Sequence, residues 1–182
     1  MKYGELNLGQ IEALVNKLGG MEGVQKFLAE EIVIAKSNKN LIFVDRTIPA
    51  NYPDWVVEKE HPELESTGPA EFDAGKLGLW LHDEQKTGYV TGNTIHQYLK
   101  DHGMLKDCLN LRDLEEIQKK GITFFRKHFK DKCVFGWKSV VRDRDDNLIV
   151  PYLCEGDGVV DLDGDWLGND WDARSPALLL AS

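Results

Sequence analysis

Apolar residues recur at Ile11, Leu14, Val15 and Leu18, the i, i+3, i+4, i+7 spacing that lays them along one stripe of a helix. Asn7 stands where a cap is needed, with Gln10 three residues on, the spacing of a capping box. Gly19-Gly20 ends that helix. Val24, Phe27 and Leu28 repeat the i, i+3, i+4 pattern on a second short helix, with Glu22 near its positive N-terminal end. An N-terminal helical hairpin over residues 1–35 is the expectation, followed by a polar linker from Lys36 to Asn40.

The pattern then changes. Leu41–Val44 is a short apolar run of buried-strand length. Pro49, Pro53, Pro62 and Pro69 make residues 46–76 loop-rich, with Trp55–Val57 a candidate edge strand, since proline cannot donate to a ladder. Leu77, Leu79 and Leu81 alternate with Gly78 and Trp80 as a strand should. A helix is expected over Thr94–Lys100, capped by Asn93 or Thr94 and stopped by Gly103. A longer one is expected over Leu111–Phe129, with Gly121 set to kink or split it. In the last third, Val134–Val141, Leu148–Cys154 and Val159–Leu167 read as three strands, with turns at Asp143–Asn147 and Gly156–Gly158. Pro151 suggests an edge or a bulge. The predicted fold is α+β: a helical hairpin, a mixed middle, and a C-terminal antiparallel β-meander packed against helices, with residues 41–182 as the second domain.

Composition narrows the function classes. Of 182 residues, 42% are apolar, enough for a core without disulfides. Lys and Arg number 22 against 31 Asp and Glu, a net charge of −9, which disfavours nucleic acid and anionic membranes as partners. No apolar run has bilayer-spanning length, and the opening residues lack a signal-peptide pattern, so a cytoplasmic protein is expected. Charge is also uneven. Residues 143–182 hold ten acids and two arginines, whereas residues 112–142 hold nine basic residues and four acids. Intramolecular complementarity or head-to-tail association follows more readily than nucleic-acid binding.

Three cysteines, Cys108, Cys133 and Cys154, are expected as buried reduced thiols. With the turn near Asp145–Asn147, Cys133 and Cys154 fall several residues out of register on paired strands and should not face one another.

The head LGQIEALVNKLGGMEGVQKFL, from Leu8 to Leu28, resembles the opening of a group of uncharacterised bacterial hypothetical proteins, as does Val44-Asp45-Arg46-Thr47. The ending Trp166–Asp172, with Ser175-Pro176-Ala177 and Leu180-Ala181-Ser182, is similar to that group's tail, which suggests a complete protein. The resemblance carries no activity, cofactor or catalytic residue with it.

Candidate chemistry is sparse. Asp161, Asp163 and Asp165 bear some likeness to a calcium loop, yet Trp166 occupies the position of its glycine and Asp172 that of its bidentate Glu. On a strand the three aspartates share one face, which makes them solvated carboxylates first and a Ca²⁺ or Mg²⁺ site second. His82-Asp83-Glu84 could supply a base beside carboxylates. Gly-rich phosphate loops and GxSxG are absent. Trp137, Tyr152, Trp166 and Trp171 gather around the meander, where any exposed subset would make an interaction surface. The expectation is a non-catalytic, cytoplasmic protein-interaction module without a cofactor, acting on a protein partner or on itself. The alternatives are a divalent-metal-assisted hydrolase and a DNA-binding regulator using the N-terminal hairpin, whose second helix has only Lys26 to offer phosphates.

Overall fold

A computed structural model of the protein describes residues 7–29 and 39–180. The chain divides between Lys39 and Asn40 into two compact units. In the first, α1 (Leu8–Lys17) and α2 (Gly20–Leu28) form the expected helical pair. The capping box closes: Gln10 N–H donates to the Asn7 side chain and Asn7 N–H to the Gln10 side chain, both at 2.9 Å. Ile11 and Leu14, on the apolar stripe, stay about half-exposed. The linker expected at Lys36–Asn40 lies mostly outside the described residues.

The second unit is α+β. Short strands β1 (Leu41–Phe43), β2 (Glu58–Lys59), β3 (Glu71–Asp73), β4 (Gly78–Trp80) and β5 (Val90–Thr91) lead into α3 (Gly92–Asp101). Then come α4 (Leu111–Gln118) and α5 (Ile122–Phe129). Strands β6 (Val134–Phe135), β7 (Val141–Arg142), β8 (Leu148–Gly156), β9 (Val159–Trp166), β10 (Asp170–Trp171) and β11 (Ala177–Leu179) close the chain. β1 pairs with β3 and β5 with β10, each as a two-stranded antiparallel ribbon. The other seven strands form one sheet. β8 has β9 on one edge and, end to end on the other, β6 and β7; beyond β6 lie β11, which is parallel to it, and β4.

The β8–β9 hairpin turns on Asp157-Gly158, both at positive φ (49° and 81°), the conformation a two-residue hairpin turn requires. That turn sets the register and therefore the faces. Leu153, Val160 and Leu162 face Leu114, Ile117, Phe125 and Phe129 of α4 and α5. Val150 and its neighbour Phe135 belong to the opposite core, with Ile95 and Leu99 of α3. The middle of β8 is thus covered on both faces, which explains why Leu148–Leu153 reads as an apolar run, whereas β9 alternates Val160 and Leu162 with aspartates.

Three expectations need correction. Val134–Val141 is not one strand: a single 3-10 turn, Trp137–Ser139, separates β6 from β7. The cap of α3 is Thr91, whose hydroxyl accepts the Thr94 N–H, rather than Asn93 or Thr94. The strand expected at Trp55–Val57 forms just beyond it, at Glu58–Lys59. The helix expected over Leu111–Phe129 does split at Gly121, whose φ of 78° no β-carbon tolerates cheaply. Pro151 sits in the middle of β8, where its partner changes from β6 to β7.

The cysteine expectation is overturned. β7 pairs with β8 as Val141↔Ile149, whereas β6 pairs as Val134↔Leu153, so the 3-10 turn absorbs three residues of register. That shift sets Cys133 directly opposite Cys154, their Cα atoms 4.3 Å apart, and they form a disulfide. Cys108 is a free, fully buried thiol, and burial pushes its pKa up to about 12.

Candidate functional site

A buried polar network anchors the N-terminus of α4. Asp113, fully buried, accepts the Asn110 N–H at 3.0 Å in a second capping box and the Arg46 guanidinium at 2.6 Å. Arg46 also donates to the Pro69 carbonyl. Burial pushes the Asp113 carboxyl upward against the pull of these donors, and burial lowers the pKa of the enclosed Lys138 nearby. Ser139 donates to Glu65 at 2.9 Å and accepts the Leu111 N–H at 2.8 Å. With its proton held by a carboxylate and its lone pair by a backbone amide, Ser139 joins elements together.

Beside this network lies a cavity of about 300 Å³ between Asn51–Val56, α4 and the α4-facing side of β8–β9. Two polar clasps hold the segment across the sheet: Asn51 N–H donates to Glu115 at 2.7 Å, and Arg144 donates to the Asp54 carbonyl at 3.3 Å. The walls are mainly apolar, formed by Pro53, Trp55, Ile149, Pro151 and Leu162. A β-carbon on Gly164 would lie 2.6 Å from Ile149 and 3.8 Å from the Trp55 ring, so the missing side chain there helps to keep the cavity open. Tyr52 lines the same space. Its buried hydroxyl lies beside the Glu65 and Ser139 side chains, and burial first, then the Glu65 charge, raises its pKa. Trp166, opposite Ile149 across the strands, is 50% exposed.

On the other face of the sheet, His61 and His96 meet Nε2 to Nε2 at 2.8 Å, both buried, with His96 stacked on Trp137. Burial, then the His61 and Lys100 charges, holds His96 down to about 3. Thirty-five residues separate the pair, and no local spacing marks it in the sequence.

The residues singled out from sequence are distributed differently from expectation. Trp137 and Trp171 are 1% and 5% exposed, so these two lie in the core and present no surface. Tyr152 is half-buried against Phe135, leaving Trp166 as the exposed member of the four. Asp161, Asp163 and Asp165 do share a face of β9, where their charges follow burial in raising the Tyr152 pKa. Their carboxylates serve local geometry: Asp163 accepts the Gly164 N–H, and Asp165 accepts the Asn169 amide and the Trp171 indole N–H, both at 2.7 Å. Among the described residues, no group of three or more His, Cys, Asp or Glu converges to hold a metal ion. His82 accepts the Glu84 N–H, while Asp83 pairs outward with Lys86. Lys26 of α2 pairs with Glu22 at 2.8 Å. The basic and acidic stretches meet through Arg126–Glu155 and Arg142–Asp146.

Sequence reasoning missed the Trp55 cavity. Its signal was Asn51-Tyr52-Pro53-Asp54-Trp55, two aromatics around a proline, in a stretch that reads only as loop. No helix among the described residues is long and apolar enough to cross a membrane. Comparison with protein-family models, curated proteins and solved structures found no match. The fold class is α+β, with helices and one seven-stranded sheet in the second unit.

Proposed function

We propose that this chain is a non-catalytic protein-interaction module whose docking site is the cavity between Trp55 and the β8–β9 hairpin. The observation that carries this reading is a preformed, mainly apolar cavity of about 300 Å³, framed by Pro53, Pro151 and Trp55. Such a site accepts one bulky apolar or aromatic side chain from an extended partner segment. The reading needs no cofactor. Divalent-metal hydrolysis and DNA binding have no comparable geometry behind them among the described residues. A cytoplasmic setting belongs to the same proposal, and it requires the Cys133–Cys154 bridge to withstand or exchange with cellular thiols.

Selection of a displayed linear-peptide library on the folded protein tests the site. Enriched peptides should share a bulky apolar anchor, and Trp55→Ala should weaken their binding by about 2 kcal/mol, roughly thirtyfold. Peptides that bind wild type and Trp55→Ala equally would place the interaction elsewhere. An empty selection would remove its support.

A further inference from the structure

β6 is two residues long, yet within the sheet it joins β4 and β11 to β8. Its pairing with β8 covers Val134 and Phe135, and its pairing with β11 rests on Phe135↔Ala177. The single β6–β11 pair is the shortest ladder in the sheet. The Cys133–Cys154 bridge lies one residue beyond it, with Cys133 N–H donating outward to the Arg174 carbonyl at 2.9 Å. Neither cysteine is fully buried, and both line an open depression of about 520 Å³. Lys132 and Arg174 line it too, as do Asp131, Glu155 and Asp157, with Glu155 held by Arg126.

We propose that Cys133–Cys154 is a thiol-exchange site, where low-molecular-weight thiols enter the depression of the folded protein and open the latch between β6 and β8. An incoming thiolate attacks Cys154 Sγ, the Cys133–Cys154 bond breaks, and Cys133 leaves as a thiolate. The reverse polarity would expel Cys154 as an anion beside Asp157 and directly across the ladder from Asp161, whereas Cys133 follows Lys132 in the chain. A second thiol attacks the sulfur of the first thiol, in the mixed disulfide on Cys154, releasing the oxidised thiol pair, and the two cysteine sulfurs take up protons. Two electrons pass from two thiols to the protein disulfide, and every sulfur is accounted for. Cys108 stands apart as an internal reference, since it is fully enclosed.

Protein equilibrated with oxidised glutathione, then titrated with reduced glutathione without denaturant, gives the test. Samples are quenched with maleimide and weighed intact. A mixed disulfide on Cys154 should appear first, then two maleimides per chain with circular dichroism unchanged, and a third only in denaturant. Lys132→Gln should slow the first step several-fold. Amide exchange should rise in β6 and β11 on reduction, while the β8–β9 ladder stays protected. A bridge that resists glutathione until the chain unfolds would overturn the proposal. So would three maleimides arriving together, or unaltered exchange in β6 and β11.

Discussion

The His61–His96 pair should make this protein sensitive to acid. At 2.8 Å the two Nε2 atoms share one proton, so one ring donates and the other must be bare. Protonating both would set two cations together in a site whose members are 8% and 5% exposed. Burial is the first cause of the lowered pKa at both rings; Lys100 adds to it, while Glu63 and Glu60 pull His61 back upward. The unfolded chain takes up this proton near pH 6.5, whereas folded His96 holds off to about 3. Between those values the unfolded state binds more protons, so the contribution is intact above the unfolded pKa and is lost as pH falls. One-site linkage gives a loss of about 2 kcal/mol between pH 7 and pH 5, a sizeable part of an ordinary domain's stability. Urea unfolding of wild type and His96→Gln at pH 7, 6 and 5, at fixed ionic strength, isolates the effect, because the carboxylates common to both cancel. Glutamine can still bond His61 but does not titrate, so the wild-type advantage should shrink by about 2 kcal/mol across that range. Curves that stay parallel would refute the shared-proton account.

Two further outcomes follow from close packing. Asp113→Ala removes a cap and leaves the Arg46 and Lys138 charges enclosed without their carboxylate, so denaturant titration should register a loss of about 3–5 kcal/mol. Asp113→Asn, which keeps the cap but not the charge, should fall between it and wild type; a loss under about 1 kcal/mol for the alanine variant would refute the network. Gly92→Ala would bring a β-carbon within 2.5 Å of the Trp171 ring and 2.9 Å of the Leu167 backbone. Overpacking should therefore outweigh the helix-propensity gain, with a net loss of about 1–3 kcal/mol and a lower melting temperature; an unchanged melting temperature would sink that reading.

Much of the framework is visible in local patterning. The Asn7/Gln10 box, the split at Gly121 and the Asp157-Gly158 turn are short-range effects, and a few consecutive residues suffice to encode them. The same logic misled at Val134–Val141, where an apolar run of strand type breaks into a 3-10 turn to carry Trp137 and Ser139 into the core. Aromatic clustering likewise marked the right region but could not sort Trp166, which is exposed, from Trp137 and Trp171, which are buried.

The amino-acid order by itself determined the α+β class, the N-terminal helical pair, the β8–β9 hairpin and the shared face of Asp161, Asp163 and Asp165. Each follows from a period of 3.6 or 2 and from the turn chemistry between runs. Tertiary structure alone decided that Cys133 meets Cys154, that His61 meets His96, and that Trp55 roofs a cavity over Gly164. Those contacts join residues from distant elements, and a three-residue register shift or the path of one proline-bearing loop is enough to make or abolish them.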